Sequence, residues 1–157
     1  MSNISSIYDG LVTRISTVLP NHNRLPFAVD IDQNIESRMV KGWGLSFAGG
    51  AVNTKRVMAG QDGKMSIDRT FLVSIVRKVY AQDQNIASRA LAEKQLLEDH
   101  KLLVEDLEKD PSLGLSANGL CINARYEGDS GLEFAIPDER QFIMIVSSIN
   151  IEYFEQL

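Results

Sequence analysis

The stretch from Arg69 to Tyr80 constrains the fold more than any other. Phe71, Val73, Ile75 and Val79 recur at period two, with Leu72 and Val76 interleaved between them. A strand that is apolar on both faces needs cover above and below, so this segment is expected to be an inner strand of a sheet. Near the C-terminus, Ile143, Ile145, Ile149, Ile151 and Tyr153 alternate with Met144, Val146, Ser148, Asn150 and Phe154, which predicts a second long strand enriched in β-branched residues. Shorter strands are expected over Lys41 to Phe47 and Leu120 to Glu127. A brief pair around Leu132 to Ile136 follows the turn residues Glu127 to Gly131.

Two segments carry helical periodicity instead. Ile4, Ile7, Tyr8, Leu11, Val12, Ile15, Val18 and Leu19 are spaced three and four apart and form one stripe ending before Pro20. A second helix is predicted from Ile86 to Lys109, opened by Asp83, Gln84 and Asn85 and closed by Asp110-Pro111, because proline disfavours helical angles in the residue before it. Its expected apolar stripe is Ile86, Ala90, Leu97, Val104 and Leu107. Glu93, Lys94, Glu98, Asp99, Lys101, Glu105 and Glu108 are read as its solvated face. The order helix, strands, helix, strands predicts an α+β fold, with one antiparallel or mixed sheet flanked by two main helices. A chain of 157 residues is enough for one domain, taken as residues 1–157.

Composition narrows the function classes. With 44% hydrophobic and 24% charged residues the chain can build a core, which excludes a disordered tail or a disulfide-dense miniature. The net charge of -5 argues against gripping nucleic acid, which needs clustered Lys and Arg. The single cysteine, Cys121, has no partner for an internal disulfide and is expected to be a small buried side chain. The N-terminus lacks the basic start and apolar run of a signal peptide, so no secretory route is expected. The most apolar run, Phe142 to Val146, is far shorter than the roughly 20 residues of a membrane-spanning helix.

Candidate chemistry is sparse. Asp30, Asp32, Asn34 and Glu36 alternate like the start of a calcium loop, but Ile35 stands where the sharp turn needs glycine and Lys41 where a bidentate glutamate belongs. Gly42, Gly44, Gly49 and Gly50 do not lead into the Lys-Ser/Thr and helix of a phosphate loop. His22 and His100 are the only imidazoles; His22 falls in a loop and His100 within the stripe of the second helix, where a packed histidine is the expectation. No catalytic residue, metal ligand or cofactor-binding residue is assigned. An enzyme or small-ligand domain in the same shell would require a deep pocket converging on His22, His100, Cys121 or clustered carboxylates.

Two long connections remain, Asn21 to Val40 and Ala48 to Lys64. Connections of that length in a compact domain are uncommon unless they are functional or disordered. The second carries Val52, Val57 and Met58, apolar side chains that an idle surface loop rarely needs, and is expected to dock on something.

The lead helix, the segment Lys41 to Phe47 (KGWGLSF), the strand Asp68 to Tyr80 (DRTFLVSIVRKVY), the charged helix, and then Ala124 to Phe134 and Gln141 to Leu157 together resemble the tail terminator proteins of long-tailed, siphovirus-type bacteriophages. The resemblance spans nearly the whole chain and carries no catalytic signature. It implies a small α+β virion protein that forms a ring, expected to be a hexamer, on the finished tail tube. Such a ring ends tube polymerisation and presents a surface to the head connector. The expected partners are sibling copies, the tail tube protein and the connector's stopper protein; DNA would pass through without specific binding, and no membrane or cofactor is involved. Location would be the head-proximal end of the virion tail after assembly in the host cytoplasm. A stopper, adaptor or tail completion protein at the same junction is the neighbouring possibility. Under this reading Trp43, Phe47, Val52, Arg56, Val57 and Met58 are candidate assembly-interface residues, while the residue pattern by itself favours Trp43 as a sheet residue buried against the first helix over one presented to a partner. Asp129 and Glu133 are candidate acidic groups facing the channel.

Overall fold

A computed structural model describes residues 3–28, 39–47, 53–56, 64–79, 86–114, 123–136 and 139–156. The elements are α1 (Asn3–Val18), β1 (Asn23–Leu25), β2 (Lys41–Phe47), β3 (Asn53–Arg56), β4 (Lys64–Lys78), α2 (Ile86–Lys109), β5 (Asn123–Asp129), β6 (Glu133–Ile136) and β7 (Glu139–Gln156). The fold is α+β: seven strands form one mixed sheet in the order β1-β2-β4-β7-β5, with β3 paired to β4 and β6 to β7. Among the described strands, only β1 and β2 run parallel.

The spine is the β4/β7 pair, antiparallel from Lys64 opposite Gln156 to Lys78 opposite Phe142 with no break in register. Direct opposition puts Phe71 beside Ile149 and Ile75 beside Ile145 on one face, all of them buried. Both helices cover that face. Ile7, Leu11 and Ile15 of α1 and Leu19 at its exit share one core with Trp43, Leu45 and Phe71, and α2 contributes Ala92, Leu96, Leu103 and Leu107 to it. Burying such a face is the main stabilising term, at about 1.5 to 3 kcal/mol for each large apolar side chain.

The opposite face has a smaller core of Leu25, Met39, Val76, Ala135 and Phe142, with Met144 packed against it. The chain after β1 crosses flat over β2 here. Ala28 N–H donates to Ser46 Oγ at 2.7 Å, Ser74 Oγ–H donates to the Ala28 carbonyl, and Lys78 N–H donates to the Val40 carbonyl at 2.8 Å. At the other end of the ladder this face is mostly polar, with Asp68 opposite Glu152 and Thr70 opposite Asn150, while Ser66 stands opposite Phe154.

Several expectations change. The buried stripe of α2 runs through Ala92, Leu96, Asp99, Leu103 and Leu107, whereas Ala90 and Leu97 are exposed and Val104 is half-buried. Both stripes have helical spacing, and the true one was hidden because it contains a charged residue. Asp99 is therefore not part of a solvated face. β1 and β3 arise inside segments read as unstructured connections: three residues are too few to show a period, and Asn53 to Arg56 has no apolar position to reveal one. β4 starts at Lys64 rather than Arg69, since its added portion alternates polar residues toward the uncovered face. β5 shifts register between Tyr126 and Gly128, where φ of +136° at Gly128 suits glycine and forms a bulge.

Candidate functional site

Each histidine meets a carboxylate once the helices pack on the sheet. His22, just beyond α1, lies with Nε2 at 3.1 Å from Asp99 Oδ2 of α2. Arg77, near the end of β4, reaches the same carboxylate with Nε at 2.9 Å and a terminal nitrogen at 3.3 Å, and donates to Gln95 Oε1 at 3.2 Å. The side chains of His22, Asp99 and Arg77 are 5%, 9% and 15% exposed. Burial works against ionisation of Asp99, but hydrogen bonds and charge from His22 and Arg77 outweigh it and hold the carboxyl below its usual range. The ionised Asp99 can only accept, so His22 donates to it from Nε2, and the buried Nδ1 of His22 has no hydrogen-bond partner among the described residues. The cluster ties both helices to one end of β4.

The second cluster joins α2 to β5. Tyr126 O–H donates to Asp129 Oδ2, and His100 Nε2 lies 3.2 Å from the Tyr126 oxygen, which places the imidazole proton on Nε2 as the donor. Burial pushes His100 below its ordinary value, partly offset by the Asp129 charge. Burial, together with the Asp129 contact, raises Tyr126 from 10.0 to about 12. Asp129 is lowered by the bonds it accepts from Tyr126 and from Gly131 N–H, the latter at 2.7 Å. This arrangement fixes the bulged strand and its turn to the helix.

An apolar groove of about 290 Å³ opens elsewhere, between the start of α1 and the end of β2, lined by Ile4, Ser5, Tyr8, Asp9 and Phe47. It is open to solvent, and neither histidine lines it. Phe47, 45% exposed, stacks on Tyr8 at 5.9 Å between ring centres and leans on buried Phe71 at 4.7 Å. The guanidinium of Arg69 sits 5.7 Å from the Phe47 ring. Tyr8 is braced from outside by Arg24 of β1, whose terminal nitrogen is 3.4 Å from the phenol oxygen.

Of the candidate assembly residues, Phe47 alone is placed at this groove. Trp43 is 1% exposed, packed in the helix-covered core with Arg24 stacked over its ring, and offers nothing to a partner. Its register opposite Ile75 turns it toward the helices. Val52, Val57 and Met58 lie outside the described residues, as do Cys121 and the acidic segment at 30–38. Arg56 pairs through its backbone with Met65 at the end of β3. Asp129 and Glu133 are both exposed and flank one turn, but Asp129 is held by Tyr126 and Gly131.

The groove residues of α1 were missed as a site. A signal was present: Ile4, Tyr8 and Val12 widen the α1 stripe beyond the buried row of Ile7, Leu11 and Ile15. Nothing in the sequence marks the pairing of His22 with Asp99, which are 77 positions apart. Among the described residues, no group of three or more His, Cys, Asp or Glu could hold a metal ion, and no helix is long and apolar enough to cross a membrane. Comparison with protein-family models and with curated proteins finds no match.

Proposed function

We propose that this chain is a structural subunit of a ring, six copies being the expectation, that caps the tail tube of a long-tailed phage, ends its polymerisation and joins the tail to the head connector. One observation carries the reading. The four strand-bearing segments that resemble tail terminators, 41–47, 68–80, 124–134 and 141–157, are gathered as neighbouring strands of a single sheet: β2, β4, β5 with the start of β6, and β7. Segments scattered along the chain thus carry one structural unit.

The physical layout suits such a role. A fifteen-residue antiparallel ladder backed by two helices is a stiff scaffold, and the outermost described strands of its sheet path, β1 and β5, are edge strands, the kind of element along which a neighbouring subunit can add a strand. A ring member meets its siblings through two different patches, and the contact closes when the turn per subunit fits, about 60° for six copies. The net charge of -5 disfavours adhesion of DNA phosphates passing the ring.

The test is a length assay. Tail tube subunit polymerised alone should give tubes of unlimited length; with this chain added, tubes should stop growing and carry it at one end. Unchanged length distributions with no bound chain would refute the proposal.

A further inference from the structure

A closed ring needs a donor patch and a different acceptor patch on opposite flanks of each subunit. The groove supplies the acceptor. It lies on the side of β1 and β2, at one margin of the sheet, where Tyr8 contacts both Arg24 of β1 and Phe47 of β2. The opposite margin is β5, and the flank of α2 that faces it is fixed by His100, bonded to Tyr126. Leu97 and Val104 stand three residues before and four after His100, so they share that flank. Leu97 is 50% exposed. The other flank of α2 is already occupied by α1 and the residues just beyond it, through Arg14 with Asp106 at 2.6 Å and His22 with Asp99 at 3.1 Å.

Arg24 at Tyr8 and Arg69 at Phe47 border the aromatic walls of the groove, and Asp9 is the carboxylate among its lining residues. Asp9 is exposed on the groove, and its carboxylate has no partner among the described residues. Lys94, one turn before Leu97, is exposed and likewise unpaired among the described residues, whereas Lys101 has Glu105 at 3.7 Å. We propose that the groove of one chain receives Leu97 of a second copy, with Lys94 of the incoming helix meeting Asp9. The resulting contact is head-to-tail, because groove and leucine lie on opposite margins of the same molecule. A series of such contacts sets α2 of each copy beside α1 of the next, continuing the helical layer around a ring. The pairing rests on the ring reading above and names the surface by which copies meet.

Native mass spectrometry and sedimentation of the purified full chain, up to millimolar concentration, test it. The expected result is self-association that proceeds past dimers. Leu97→Glu, Asp9→Lys and Lys94→Asp should each weaken it at least tenfold while leaving the melting temperature within a few degrees. Combining Asp9→Lys with Lys94→Asp should recover most of the loss, which a merely structural effect would not do. A wild-type chain that stays monomeric at every concentration, or association indifferent to Asp9→Lys and Leu97→Glu, overturns the pairing. So does a discrete dimer abolished by Leu97→Glu but not by Asp9→Lys, which would mean that two α2 helices meet. A chain that caps tubes yet never uses these residues sinks the pairing and leaves the ring reading. One that associates through them but leaves tube length unchanged does the reverse.

Discussion

Gly44→Ala adds one methyl group at the most confined glycine of the sheet. Its Cβ would fall 2.1 Å from the Phe27 carbonyl oxygen, 2.7 Å from the Phe27 carbonyl carbon and 3.1 Å from Ala28 N. Ordinary contact begins near 3.4 Å, so the crossing chain must retreat by 3.4 − 2.1 = 1.3 Å, and the obstacle is backbone with no rotamer to relieve it. That retreat pulls Ala28 from Ser46 and from Ser74, two hydrogen bonds worth about 0.5 to 1.5 kcal/mol each. Overpacking itself costs about 1 to 3 kcal/mol. The sum is about 2 to 6 kcal/mol, or at least ~4 °C in melting temperature for a chain of this size. Thermal denaturation followed by circular dichroism measures it. Gly131→Ala is the control, with φ of +74° but no atom of the described residues within 4 Å of a new Cβ, and should cost only about 1 to 2 kcal/mol. A Gly44→Ala chain melting within 1 °C of wild type would mean that residues 27 and 28 do not lie on β2.

Leu96→Ala should destabilise the fold by about 2 to 5 kcal/mol and Leu97→Ala by roughly 0.5 kcal/mol or less, since Leu96 is fully buried and its neighbour is not; denaturant titration of both separates the two helix faces. Asp99→Ala strands His22 and Arg77 without their shared carboxylate and should cost about 3 to 5 kcal/mol, read in the same titration. The lowered His100 favours its neutral form in the fold, so its contribution to stability is complete above pH 6.5 and fades as pH falls; melts of His100→Gln should show a shallower acid decline. Tyr126 is shifted upward, from 10.0 to about 12, so its contribution is complete below pH 10 and lost as pH rises through 12; Tyr126→Phe should flatten that alkaline limb.

The elements that bury an unbroken apolar row were legible before any coordinates. Phe71, Val73 and Ile75 announce β4, and Ile7, Leu11 and Ile15 announce α1, because hydrophobic burial leaves a period in the sequence. β2 and α2 were also placed with their observed bounds. What stayed hidden depends on contacts between distant residues. Asp99 reads as solvent-facing until His22 and Arg77 are brought beside it, and that error moved the α2 stripe from Leu96 to Leu97. β3 is a strand only because β4 offers it an edge, so its polar residues carry no period. The groove at Phe47 was half visible: the aromatic at the end of β2 was a candidate, but its wall from α1 came from residues counted as core. Trp43 shows the converse, an aromatic whose alternation with Gly42 and Gly44 sends it inward, while the glycines let the crossing chain lie on the other face.

Imaging of intact phage particles at a resolution that separates tail layers tests the central claim most directly. The account predicts density for this fold as a closed ring of six at the junction between the tail tube and the head connector. Particles that are complete and infectious without this chain, or that hold it only at the distal tail tip, would contradict it.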